Sequence, residues 1–234
     1  MSEKDELADT IPPSYKEASQ PGQDVCQPTT LVLKNQSIHA LTPESPPLYR
    51  LSLGISELSE ITTEVELFHV EPRKDGSGRD RHIYDLRCMR TGPGGLLALP
   101  SDSPRYYIQR ATRRIPGLQD LGVKKGLSII PGTTRSTAVP VDVYGKTSKY
   151  NITNFVKGGA AVFSTKGHEW TDAQGNAVAV MHDDTDKRHS LIVTAALPSA
   201  QLHMLVALWC CHVWEYGIAH AEKVHEGLDG GNFI

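Results

Sequence analysis

The segment Leu197–Glu222, LPSAQLHMLVALWCCHVWEYGIAHAE, is the most apolar in this chain of 234 residues, and it limits what the rest can fold into. A membrane-spanning helix needs about 20 predominantly apolar residues to cross roughly 30 Å of hydrocarbon. No Lys, Arg, Asp or Glu occurs between His189 and Trp214. The first part of that window, however, is the β-branched run LIVTAAL, and Pro198 separates it from the residues beyond. The pattern predicts a helix over about 199–223, with Ser199 as N-cap. Its longest stretch without a polar side chain, Met204–Cys211, covers about 12 Å at about 1.5 Å per residue. Gln201, His203 and His212 would each need a partner in lipid, at about a few kcal/mol apiece, so a span is excluded. On a helical wheel Leu202, Met204, Leu205, Val206, Leu208, Trp209, Val213 and Trp214 leave no wide polar face. A helix of that kind is buried on every side.

The rest of the chain supplies the walls. From Thr30 onward, short runs of strand-forming residues alternate with Gly, Pro, Asn and Asp, as in all-β domains: TLVLK, SIHAL, PLYRLSL, TTEVELFHV, HIYDLRC, RYYIQR, VPVDVYG, YNITNFV, AAVFST, NAVAVMH and HSLIVTAAL. Period-two patterning at Val139, Val141 and Val143, and at Leu191, Val193 and Ala195, marks half-buried antiparallel strands. EWTDAQGNAVAV reads as a hairpin with Gly175 at a positive φ. Only a sheet wrapped around the helix offers it enough apolar surface. The expected fold is mainly β, an antiparallel barrel of about 12 strands enclosing a hydrophobic C-terminal α-helix.

A run of strands followed by such a helix, with HEWTDAQGNAVAV before the last strand and LVALWCCHVW in the helix, resembles the tubby-like C-terminal domain superfamily, including its LURP-one-related and phospholipid-scramblase-like branches. The resemblance covers about residues 30–222 and implies a binding module. Tubby domains hold phosphoinositide headgroups with surface Lys and Arg, and scramblase-like members associate with lipid. The expected domain is 29–225, followed by a flexible tail over 226–234.

Residues 1–28 carry six acids against two lysines and no apolar periodicity, which predicts a disordered acidic tail. Within it PPSY, with Pro12, Pro13 and Tyr15, matches the PPxY ligand of WW domains. Two prolines preset a polyproline II strand, and the tyrosine ring suits an aromatic-lined groove. A WW-domain protein, such as a HECT-type ubiquitin ligase, is the expected reader. The acidic N-terminus has no apolar h-region, and Cys26, Cys88, Cys210 and Cys211 show no CxxC spacing. Reduced thiols and a cytoplasmic location are expected, with membrane surfaces or the nucleus as further sites.

The interval Arg105–Lys149 holds nine Lys and Arg against two Asp. Arg105, Arg110, Arg113, Arg114, Lys124 and Lys125 are the candidate contacts for an anionic membrane surface, where each cation contributes about 1 kcal/mol. Tyr106 and Tyr107 beside this run could stack bases, but no nucleic-acid-binding motif appears, and nucleic acid is not an expected partner. His182, Asp183, Asp184, Asp186 and His189 lack EF-hand spacing and read as an acidic hairpin turn. His203 and His212 lie too far apart for a HExxH site. There is no GxSxG, and RTGPGGLL lacks the Lys-Ser/Thr ending of a phosphate loop. The expectation is therefore a non-enzymatic adaptor without catalytic residues, metal or cofactor. The alternative is a lipid-handling, scramblase-like protein or an enzyme with a pocket invisible in sequence.

Overall fold

The strand-forming runs become a closed antiparallel barrel in a computed structural model, which describes residues 25–59, 61–73, 78–89, 99–126, 135–146, 152–183 and 189–229. Its strands are β1 (Val25–Cys26), β2 (Thr29–Lys34), β3 (Ser37–Ala40), β4 (Pro47–Leu51), β5 (Glu64–Pro72), β6 (Gly78–Cys88), β7 (Tyr106–Arg110), β8 (Leu121–Gly126), β9 (Arg135–Asp142), β10 (Asn154–Phe155), β11 (Phe163–Lys166), β12 (Glu169–Asp172), β13 (Ala177–Asp183), β14 (His189–Val193) and β15 (Leu197–Pro198). A 3₁₀ turn covers Ile55–Glu57, and the helix α1 runs over Ser199–Asp229.

Around the wall the order is β9, β11, β12, β13, β14, β2, β3, β4, β5, β6, β7 and β8, and the pairing of β8 with β9 closes the ring at 12 strands. β10 adds to the end of β9, and β1 pairs with β15 outside the ring. Closure removes the exposed sheet edges that invite aggregation. The hairpins use the residues expected of them. Asn35 takes a φ of 55° in the two-residue turn between β2 and β3, a conformation Asn tolerates better than other L residues. Gly175 takes a φ of 86° between β12 and β13, where Asp172 accepts from the backbone N–H groups of Gln174 and Asn176 at 2.9 and 2.8 Å.

Alternation sends one face of each strand inward. Leu31 and Leu33, Tyr49 and Leu51, Val65 and Leu67, Tyr84 and Leu86, Tyr106 and Ile108, and Leu191 and Val193 join one apolar cluster with α1. From Leu202 to Trp214 the helix is buried on all sides, with His212 alone half-buried, and Trp209 and Trp214 are its largest fully enclosed side chains. No helix among the described residues is long and apolar enough to cross a membrane. All four cysteines are free, and Cys88, Cys210 and Cys211 are buried.

Three details depart from the pattern-based reading. Val139 and Val141 are buried but face outward, because Leu121 of the core pairs with Pro140 and core residue Ala138 lies two positions before it. They sit under a second, outer layer. A Cβ at Gly122 would meet Val141 at 2.6 Å and Pro104 at 2.8 Å. β1 begins at Val25, within the span read as tail, and α1 continues to Asp229, past Lys223 and into the span read as a C-terminal tail. Residues 230–234 lie outside the described residues, as do Asp184 and Asp186 of the acidic turn.

The helix is the filling of the barrel, so removing Ser199 onward should abolish cooperative unfolding and near-UV circular dichroism. A sharp thermal transition in that truncation would contradict the enclosed-helix architecture. In the full chain Trp209→Ala is expected to cost about 3–5 kcal/mol in urea unfolding.

Candidate functional site

The basic segment does not form one patch, because strand geometry sends its residues to opposite ends of the barrel. β7 and β8 pair with Tyr107 opposite Gly122, and continuing that register sets Arg105 opposite Lys124. Arg105, Lys124 and Lys125 therefore collect at one end, five residues of strand away from Arg110. The helix gives the same ordering. Lys125 Nζ lies 2.7 Å from Glu215 Oε1, whereas Gly117, in the β7–β8 connection, packs against Ala200 at the start of α1. Fifteen helical residues separate these points, about 22 Å at about 1.5 Å per residue.

At the Glu215 end, Arg105, Lys124 and Lys125 line an open cleft of about 380 Å³ with Ser101, Ser103 and Phe155. The loop carrying Ser101 and Ser103 is held to β10 at two points. Ser103 Oγ donates to Asn154 Oδ1 at 2.7 Å, and the Phe155 amide donates to the Asp102 carbonyl at 2.7 Å. Arg105 lies 5.8 Å from the centre of the Tyr106 ring and Lys124 5.9 Å from that of Phe155, within cation–π range. Three cations and the single carboxylate of Glu215 leave the lining with a charge of +2. The exposed Lys125–Glu215 pair adds little stability, but it ties the cleft to the helix.

The other cations serve differently. Arg110 grips Asp120 with two side-chain bonds of 3.2 and 2.9 Å and donates to the Leu118 carbonyl. It fixes the β7–β8 connection and is not free to hold an anion. Arg113 donates to the Tyr144 hydroxyl at 3.2 Å, and Arg114 is exposed on the same connection. Tyr106 points inward, edge-on to Trp214 at 5.6 Å between centroids, and Tyr107 points outward but is also buried. Pro12, Pro13 and Tyr15 lie outside the described residues.

Two further constellations could not be read from sequence. Near the start of α1, His203 Nδ1 lies 3.0 Å from the Tyr49 hydroxyl, and the His69 ring stands 4.7 Å from that of His203. Burial, with His69 and Arg81 nearby, pushes the pKa of His203 down to about 3, and burial also lowers His69. Both stay neutral at physiological pH, and burial raises the pKa of Tyr49.

The second lies on the outer face of β5 and β6, where Glu66, His82 and Asp85 bring ligand-type atoms within 4.8 Å of one another. A β-bulge creates it: Leu67 pairs with Tyr84 but Phe68 pairs with His82, leaving Ile83 as the extra residue. Ile83 and Tyr84 both turn into the core, so His82 and Asp85 share the outer face. Residues three apart on a regular strand would not.

No family model, characterised protein or solved structure matches the chain.

His203 makes stability depend on acid. The unfolded histidine takes up its proton below its ordinary pKa of about 6.5, while the folded one refuses it down to about 3. Stability is thus complete above pH about 6.5 and falls as pH drops toward 3, with a limiting slope of about 1.4 kcal/mol per pH unit for one site. His203→Gln, which can still bond to Tyr49, should flatten the pH dependence of urea unfolding between pH 6.5 and 4. An unchanged slope would show that His203 is not the titrating group.

Proposed function

We propose that the chain is a non-enzymatic binding module that holds an anionic headgroup, phosphoinositide or another anionic phospholipid, in the cleft of Arg105, Lys124 and Lys125. The observation that carries this reading is their convergence, across strand register, on one open cleft of net positive charge at the Glu215 end of the barrel. The barrel interior is occupied by α1 and its apolar contacts with the wall, which favours recognition at the surface over chemistry in the lumen. The resemblance to the tubby-like superfamily points the same way. Guanidinium forks and lysine ammonium groups suit phosphate oxygens, and Ser101 and Ser103 line the same cleft with hydroxyls.

The second half of the proposal is an adaptor role in the cytoplasm, at membrane surfaces. PPSY would recruit a WW-domain ubiquitin ligase through Pro12, Pro13 and Tyr15, with the barrel supplying the location. The motif's two prolines lower the entropy lost on docking into an aromatic groove.

Two net charges near an anionic surface are worth about 2 kcal/mol, roughly 30-fold in partitioning. Lys124→Ala with Lys125→Ala should therefore reduce flotation of the full chain with phosphoinositide-containing liposomes by about that factor. Arg113→Ala with Arg114→Ala, at the other end of the barrel, should change it little. Equal loss in both pairs, or in neither, would dismiss the cleft as the contact. For the tail, capture by WW domains should disappear in Tyr15→Ala, and retention of binding in that variant would rule out PPSY as the docking motif.

A further inference from the structure

We infer that Glu66, His82 and Asp85 form a binding site for one divalent transition cation of the zinc class on the outer wall of β5 and β6. Three independent features of the wall support this. The bulge at Ile83 places His82 on the same face as Asp85 and beside Glu66 of the facing strand, so that one nitrogen and two carboxylates converge. Bulges commonly re-aim a side chain in this way near functional sites. One imidazole with two carboxylates is a donor set that suits borderline divalent metals.

The spacing is close to what one ion needs. His82 Nε2 lies 2.8 Å from Asp85 Oδ1, within about 0.6 Å of the roughly 3.4 Å that separates two ligands on a tetrahedral zinc ion. Yet the two atoms do not make a hydrogen bond. Nε2 is shielded from solvent and has no hydrogen-bond partner among the described residues. In the tautomer that leaves the lone pair on Nε2, a cation shared with the carboxylate oxygen relieves their repulsion. The His82 ring is held in place by Phe68, at 5.0 Å between centroids.

The surrounding charge balances a dication. Arg87 bonds to Glu64 at 3.0 Å and stands 3.7 Å from Asp85 Oδ2, leaving Oδ1 to face His82. Glu64, Glu66 and Asp85 against Arg87 sum to −2. The neighbouring cations are already matched, Arg81 by Glu71 at 2.9 Å and Arg50 by Asp80 at 3.0 Å. On the other side of Asp85, Gln109 of β7 is its register partner on the same outer face.

Titration of the full chain with zinc chloride by isothermal calorimetry, repeated with cobalt chloride and read by visible absorption, tests the site. One equivalent should bind saturably at micromolar concentration and raise the melting temperature. His82→Ala and Glu66→Gln should each weaken that binding at least tenfold without lowering the metal-free melting temperature by more than a few degrees. His39→Ala, on β3, serves as the control for incidental histidine binding and should leave it unchanged. Absence of saturable binding below about 1 mM, or equal affinity in wild type and His82→Ala, would overturn the inference. Should His82→Ala fold poorly, Asp85→Asn carries the same test, with retained wild-type affinity again decisive against the site.

Discussion

The structure depends on the mutual burial of α1 and the barrel wall. Neither is stable alone: the helix has no polar face to show to water, and the wall has no second sheet to pack against. Burying a large apolar side chain is worth about 1.5–3 kcal/mol, and between Leu202 and Trp214 α1 buries Leu202, Met204, Leu205, Val206, Leu208, Trp209, Val213 and Trp214. Volume outranks hydrogen bonding along this helix. The indole N–H groups of Trp209 and Trp214 find no acceptor among the described residues, a deficit of about 1–3 kcal/mol each. Two indoles tolerated on those terms indicate how much filling the lumen requires.

With α1 in the interior, the polar features of the barrel lie at its ends and on its outer faces, and these are shaped by how the wall is built. The outer layer over β8 and β9 exists because Gly122 lets Pro104 and Val141 approach. The same loop, pinned by Ser103 and Asn154, forms one side of the basic cleft. The polar cluster on β5 and β6 likewise arises from one extra residue in the ladder. Both surface features are consequences of irregularities in an otherwise regular sheet.

How much of this was legible in the sequence is set by the range of the physics involved. The helix and the barrel could be read because an apolar face is a local pattern, and a helix apolar all round has few places to go. β8 escaped notice because LGVKKG buries only its first two residues and then turns to lysine. The basic segment misled in another way. Arg105 and Arg110 are close in sequence but mark opposite ends of one strand, whereas Arg105 and Lys124 meet only through the β7–β8 register. The outward turn of Val139 and Val141 also depends on which face of β9 the ring selects. His82 and Asp85 were the least accessible, since a bulge reverses the facing that simple alternation assigns. Register and bulges are properties of pairs of strands, and one strand's residues do not reveal them.

The small pairing of β1 with β15 carries a topological consequence. Val25 sits opposite Pro198, immediately before the helix begins, so the polypeptide that precedes the barrel is tethered at the pole where α1 enters. The cleft lies at the pole marked by Glu215, about 24 Å along the axis at about 1.5 Å per helical residue from Ser199. Occupants of the two poles would not collide. Val25 and the cleft therefore mark opposite poles of the barrel.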